Sequence, residues 1–254
     1  MRRLSWIILI LSGIVTLFHA SAANAFEDEQ LHYVISYKWG LIHKDAGEAT
    51  LSLRNRGSRY EVMLTARTKP WADRFYSVRD TLKGSIIKNG LKPVVYEKIT
   101  HEKGKYSRDV VNYKIAGAST TGHTKRFRYD EEGRESVYEK VLSAGGPVYD
   151  MLSVFYYLRQ LDYNKLNRNK VYTATVFSGN KSEKISIRSL GKERIKLKDK
   201  RVMEAYHIKF NFTQEGGKKS SDDIDTWIST DSKHIPLYLV GKLPVGEVRA
   251  YFIK

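Results

Sequence analysis

The sequence predicts an all-β fold, mainly antiparallel, arranged as a barrel-like or strongly curved sheet with one central packing helix. Three observations predict it. Segments in which apolar and polar residues alternate recur at roughly 8–12-residue spacing. Turn residues such as Asn55-Arg56-Gly57-Ser58 and Asn89-Gly90 separate them. Only residues 147–162 carry apolar side chains at helical spacing. No composition break or short-period repeat marks a linker, so residues 26–254 read as a single β-rich domain; a two-lobed body hinged on the helix is the alternative.

Residues 31–42 open the sheet as a tyrosine-rich, β-branched strand. Ala49, Leu51 and Leu53 alternate with Glu48, Thr50 and Ser52, the pattern of a strand with one wet face. After the turn at 55–58, Tyr60, Val62, Leu64 and Ala66 alternate with Glu61, Met63 and Thr65, giving three antiparallel strands. Beyond Pro70, Tyr76, Val78, Asp80 and Leu82 share one face of a fourth strand, which sets Asp80 on an apolar side. Asn89-Gly90 leads into a hairpin of residues 93–101 and 106–115. Residues 117–122 read as a loop, and 124–129 and 136–142 as short strands around Glu131-Glu132-Gly133.

The helix follows. Gly145 and Gly146 stop what precedes, and Pro147 suits a first helical position because the N–H it lacks would be unpaired there. Val148, Met151, Leu152, Phe155 and Leu158 form an apolar face, and Arg159 sets its stem on that side. Residues 170–178 and 183–190 then flank Gly179-Asn180, and 193–198 follows across Gly191. Tyr206, Ile208, Phe210 and Phe212 alternate cleanly, 215–221 is a polar loop, and 224–229 resumes the sheet. Residues 237–243 and 247–253 close it, with a bend at Pro244.

Met1-Arg2-Arg3, the apolar run 4–18 and the small residues up to Ala25 have the three parts of a secretory leader, residues 1–25. The apolar run is shorter than the roughly 20 residues that span a bilayer. Ala20-Ser21-Ala22 and Ala23-Asn24-Ala25 both meet the small-x-small rule, and cleavage is expected after Ala25. The chain has no cysteine, which excludes a lipid-anchored lipoprotein and thiol chemistry. The expected location is the periplasm of a Gram-negative bacterium. Loss of Arg2 and Arg3 with the leader lowers the net charge only from +16 to +14. Export removes nucleic acid from the partners such charge implies, leaving an anionic envelope lipid, lipopolysaccharide, an acidic glycan or an envelope protein. The charges at Arg188, Arg194, Lys196 and Lys198 are too dense for lipid-facing strands, so the cleaved chain is read as not transmembrane.

Tyr37-Lys-Trp-Gly-Leu-Ile, Ala46-Gly-Glu-Ala-Thr-Leu, Arg79-Asp-Thr-Leu, Asp150-Met-Leu-Ser with Tyr157-Leu-Arg, and Trp227-Ile-Ser-Thr-Asp with Ile235-Pro follow one another over nearly the whole mature chain. In order and spacing this set resembles the bacterial family catalogued as domain of unknown function 3108. The resemblance implies an exported, mostly β, barrel-like protein. It implies no activity, and no functional residue is carried over.

The chain carries no Gly-x-Ser-x-Gly elbow, His-Glu-x-x-His, phosphate-binding glycine loop or EF-hand loop. Ser178-Gly179-Asn180-Lys181 reads as a hairpin turn rather than a Ser-x-x-Lys nucleophile, and His101 and Glu102 point to opposite faces of a strand. Asp222, Asp223 and Asp225 read as a solvated acidic turn. No catalytic residue, metal or cofactor is expected, and the protein is read as a non-enzyme.

Two constellations remain. Asp80 and Arg159, each on an inner face, are expected to form a buried ion pair unless Arg159 reaches water from the helix end. Arg194, Lys196 and Lys198, with Lys184 and Arg188 from the strand before, are expected to merge across a hairpin into one anion-binding patch. The leading functional reading is a periplasmic protein that binds or carries an amphipathic or anionic envelope molecule. The second is an envelope scaffold that binds another protein through a sheet edge, distinguished by a filled core and a long exposed edge strand; the third is an envelope-polymer hydrolase.

Overall fold

The computed structural model describes residues 25–102, 105–130, 132–214, 217, 219–243 and 245–254. Residues 1–24 of the expected leader 1–25, the Lys103-Gly104 turn and the Pro244 bend lie outside the described residues. Hairpin follows hairpin through β1 (Glu29–Trp39), β2 (Ile42–Arg56), β3 (Arg59–Thr68), the helical turn α1 (Pro70–Asp73), β4 (Arg79–Ile87), β5 (Lys92–Glu102), β6 (Lys105–Ala116), β7 (Ser119–Tyr129) and β8 (Glu135–Gly145). A two-residue strand β9 (Val148–Tyr149) leads into the helix α2 (Ser153–Arg159). The second run is β10 (Val171–Ser178), β11 (Lys181–Lys196), β12 (Val202–Gln214), β13 (Ile224–Ser229), β14 (Pro236–Lys242) and β15 (Glu247–Phe252).

All these strands lie in one 15-stranded sheet, ordered β8-β7-β6-β5-β4-β3-β2-β1-β15-β14-β13-β12-β11-β10-β9. The early and late meanders are therefore joined through the pairing of β1 with β15. Neighbours run antiparallel except β9 and β10, which are parallel. The all-β, barrel-like architecture is the one that the alternating pattern predicts.

The expected strand faces hold through the early meander. Leu51 pairs with Leu64, Leu53 with Val62 and Tyr60 with Ile86, so one face of β2, β3 and β4 is apolar. Three local expectations change. Pro70 begins a helical turn, which delays β4 to Arg79. Residues 119–122 belong to β7, paired with Thr121↔Lys114 and its neighbours, rather than to a loop.

The helix is also shorter than 147–162. Val148 and Tyr149 pair with Thr175 and Val176, which holds them extended. Asp150 then ends the extended stretch. Its Oδ1 accepts the N–H groups of Leu152 and Ser153, each at 2.7 Å, while Ser153 Oγ accepts the N–H of Asp150 at 2.7 Å. This reciprocal box satisfies donors that a helix start leaves orphaned. Asp150, not Pro147, thus launches the helix.

Inside the sheet, Val154, Tyr156 and Leu158 of α2 pack among Leu53, Tyr60, Val62 and Ile86 from the early strands and Ile185, Ile187, Ile208 and Ile228 from the late ones. Tyr60, Tyr96 and Tyr156 are fully buried, so large side chains fill the space the curved sheet encloses. The far ends of the strip meet through side chains. Leu142, Val148 and Phe177 form a small core, and Thr124 Oγ1 donates to Gly179 O at 3.0 Å. A Cβ on Gly122 would fall 2.8 Å from the Phe177 ring, so glycine there allows β7 and β10 to approach.

Candidate functional site

The expected ion pair has a different partner. The Arg159 side chain is 1% exposed and pairs with Glu29 at the start of β1, not with Asp80. Its Nη2 donates to Glu29 Oε2 at 3.1 Å and to the Lys233 carbonyl at 3.0 Å, and its Nε donates to the same carbonyl at 3.2 Å. The guanidinium also lies over the rings of Phe26 and Tyr156, at 4.8 and 5.2 Å. Helical spacing correctly sets the stem inward. The partner is missed because Glu29 sits in the acidic run 27–29, which has no strand alternation to place it.

The merged basic patch is also corrected. Residues 181–196 form one strand rather than two arms of a hairpin. Ile185 and Ile187 oppose Phe212 and Phe210, so Lys184 and Arg188 point outward. Between Ser189 and Gly191 the pairing slips by a bulge, and Gly191 has φ +98°. Beyond it Arg194 and Lys196 oppose Glu204 and Val202, on the face that Ile185 and Ile187 occupied. An extra residue reverses strand parity. The two basic sets therefore lie on opposite faces. Lys198 leaves the stripe altogether, pairing with Asp45 and sitting 5.3 Å above the Tyr251 ring.

The acidic turn is engaged within the fold. Asp223 accepts a hydrogen bond from Asn211 Nδ2 at 2.7 Å, and Asp225 lies 2.8 Å from His207 Nε2. Ser178 and Lys181 face each other as the ends of the β10–β11 turn. Two shallow depressions, of about 380 and 390 Å³, indent the outer face of β2–β4; Thr50, Thr65 and Thr81 line one, and Ser52, Met63 and Lys83 the other.

The edge at β8 is differently built. It pairs with β7 and ends the strip, so its other edge has no strand partner among the described residues. Every residue from Glu135 to Val141 is exposed, including Val137 at 48%, Tyr138 at 59% and Val141 at 59%; burial begins at Leu142. Seven extended residues offer an edge of about 24 Å. Val137 and Val141 share the outer face with Glu139, which pairs with Lys125 at 2.9 Å. On the inner face, Tyr138 and Lys140 stand opposite Arg126 and Thr124.

Arg126 and Arg128 both reach Asp109, at 2.9 and 2.8 Å. Burial raises the Asp109 carboxyl, but the two guanidiniums overcome it and hold the group below its usual value. Asp109 stays charged and anchors the cations beneath the edge. With Lys140, this inner margin carries more positive than negative charge. The alternation of residues 136–142 announced a strand, but nothing in it says that one side of that strand lacks a neighbour.

The profile of the family described as "Protein of unknown function (DUF3108)" matches residues 32–253. No curated protein matches the chain. Among solved structures, a beta-barrel-like protein of domain of unknown function DUF1849 from Brucella abortus is similar, with a TM-score of 0.61 and 10% identity over 90% of this chain and 96% of that one. At that identity the likeness is one of fold.

Proposed function

The chain belongs to the DUF3108 family, and for it we propose a role as a non-catalytic interaction module of the Gram-negative periplasm, binding an extended segment of a partner envelope protein along β8. One observation carries this reading: a packed interior is combined with a seven-residue exposed edge. An unpaired edge is a template for another strand, and natural sheets normally blunt it. Here Val137 and Val141 stand exposed on the outer face, on either side of Glu139, whose charge Lys125 meets.

The partner's chemistry follows from the two faces. Alternate side chains of an added strand would meet Val137 and Val141 outside and Lys140 beside Arg126 and Arg128 inside. An alternating apolar and acidic segment fits both. A second copy of this chain would set two such cationic margins side by side, which is unfavourable. The filled interior also turns the reading away from an enclosed lipid or glycolipid.

A photoreactive amino acid at position 137 or 141, in cells exporting the full chain, tests the proposal against the same probe at 65 or 81. The expected result is one discrete adduct at 137 and 141 only, lost on Tyr138→Pro or Val137→Pro, since neighbouring residues turn their N–H groups to opposite edges. A synthetic peptide of the cross-linked segment should bind the purified protein, about 10-fold more weakly after Lys140→Glu. No adduct, equal adducts at 65 and 81, or an adduct of two copies of this chain overturns it.

A further inference from the structure

Phe26 is held more firmly than its position requires. It precedes β1, which begins at Glu29, so no ladder fixes it. Its N–H donates to Tyr60 Oη at 3.0 Å, and its carbonyl accepts from Asn55 Nδ2 at 3.1 Å. Its ring stands edge-on to Tyr60 and Tyr156, with centroids at 5.9 and 4.9 Å, and the Arg159 guanidinium lies 4.8 Å from its centre. Asp28 adds a clamp by accepting the N–H and Nδ2 of Asn55 at 2.7 and 3.0 Å. Ala25, one residue earlier, is exposed. The small-x-small run Ala23-Asn24-Ala25 thus ends where the fold's grip begins.

We infer that the body carries a box, made by Asn55, Tyr60, Tyr156 and Arg159, that seats Phe26 as the aromatic terminus released by the cleavage expected after Ala25. The inference rests on the export reading above. Hydrolysis consumes one water: its oxygen joins the Ala25 carbonyl carbon, the C–N bond breaks, and Phe26 leaves as an α-ammonium. Tyr60 Oη then accepts from a charged donor, a stronger bond than the amide's. A peptidase needs the residues flanking its bond extended and accessible, whereas the closed box withholds Phe26. Cleavage therefore precedes closure of the box.

N-terminal sequencing and intact mass of the protein purified from the periplasm of a Gram-negative host test the site; the expected first residue is Phe26. Export with Ala23 first overturns this inference alone, while full-length protein retained in the cytoplasm overturns the export reading beneath it. Folded 1–254 precursor, given purified leader peptidase, should be cut at least about 10-fold more slowly than precursor unfolded in urea; equal rates overturn the box. Phe26→Ala in the exported protein should lower Tm by several degrees, and an unchanged Tm overturns the box as well.

Discussion

Arg159, near the end of α2, grips Glu29 at the first position of β1, 130 residues earlier in the chain, with Nη2 3.1 Å from Oε2. The contact ties the central helix to the strand on which both meanders converge. With the arginine 1% and the glutamate 17% exposed, water does little to screen it.

Arg159→Ala leaves the Glu29 carboxylate largely buried without its cation. A loss of about 3–5 kcal/mol is expected in urea unfolding. Arg159→Lys should recover little of it, because an ammonium cannot serve a carboxylate and the Lys233 carbonyl with the same planar fork.

Asp150 sets a pH dependence. Burial raises its carboxyl from 3.8 to about 6, against the lowering effect of the N–H groups of Ser153 and Leu152. Below about pH 4 both folded and unfolded chains hold the proton. Between there and about pH 6 the unfolded chain gives it up first, so this group's contribution to stability falls as pH rises and levels off above. The total is about 3 kcal/mol. Asp150→Asn keeps an acceptor for the two N–H groups and does not titrate. Relative to that variant, the wild type should lose about this amount between about pH 4 and 7, read from urea midpoints.

Gly122→Ala tests the seam. The added methyl would lie 2.8 Å from the Phe177 ring, forcing β7 and β10 apart at a cost of about 1–3 kcal/mol. Amide hydrogen exchange in residues 176–178 should accelerate before that in β1–β3.

The two basic faces give a fourth prediction. Retention on vesicles containing anionic lipid at low salt should fall about twofold on Lys184→Glu with Arg188→Glu, and likewise on Arg194→Glu with Lys196→Glu. All four together should lower it about fourfold, since the effects of distant sets add in free energy. A single merged patch would instead collapse when either pair is reversed.

Strand identity was legible because most strands bury one face, so their alternation is written locally. What escaped depends on residues far apart. Val148 and Tyr149 look helical by spacing, but β10 claims them. Gly191 looks like a break between strands, yet β12 runs past it and turns it into a bulge. For Arg159 the sequence revealed the buried stem and not the partner, because Glu29 reaches it only once the sheet has curled. The exposed edge of β8 escaped for a related reason: that no described strand lies beside it is a property of the whole strip.

The pairing of β1 with β15 brings the chain's first and last strands together, and His32 N–H donates to Lys254 O at 2.7 Å. Joining the ends there by a short linker and opening the chain at Gly146 would yield a polypeptide that visits β9 to β15 and then β1 to β8. That is the order in which the strands already lie side by side. The longest-range ladder would become a local hairpin, and a permutant of lower contact order should fold faster. The natural chain thus starts its fold from the middle of the ribbon and must wind both arms around the helix.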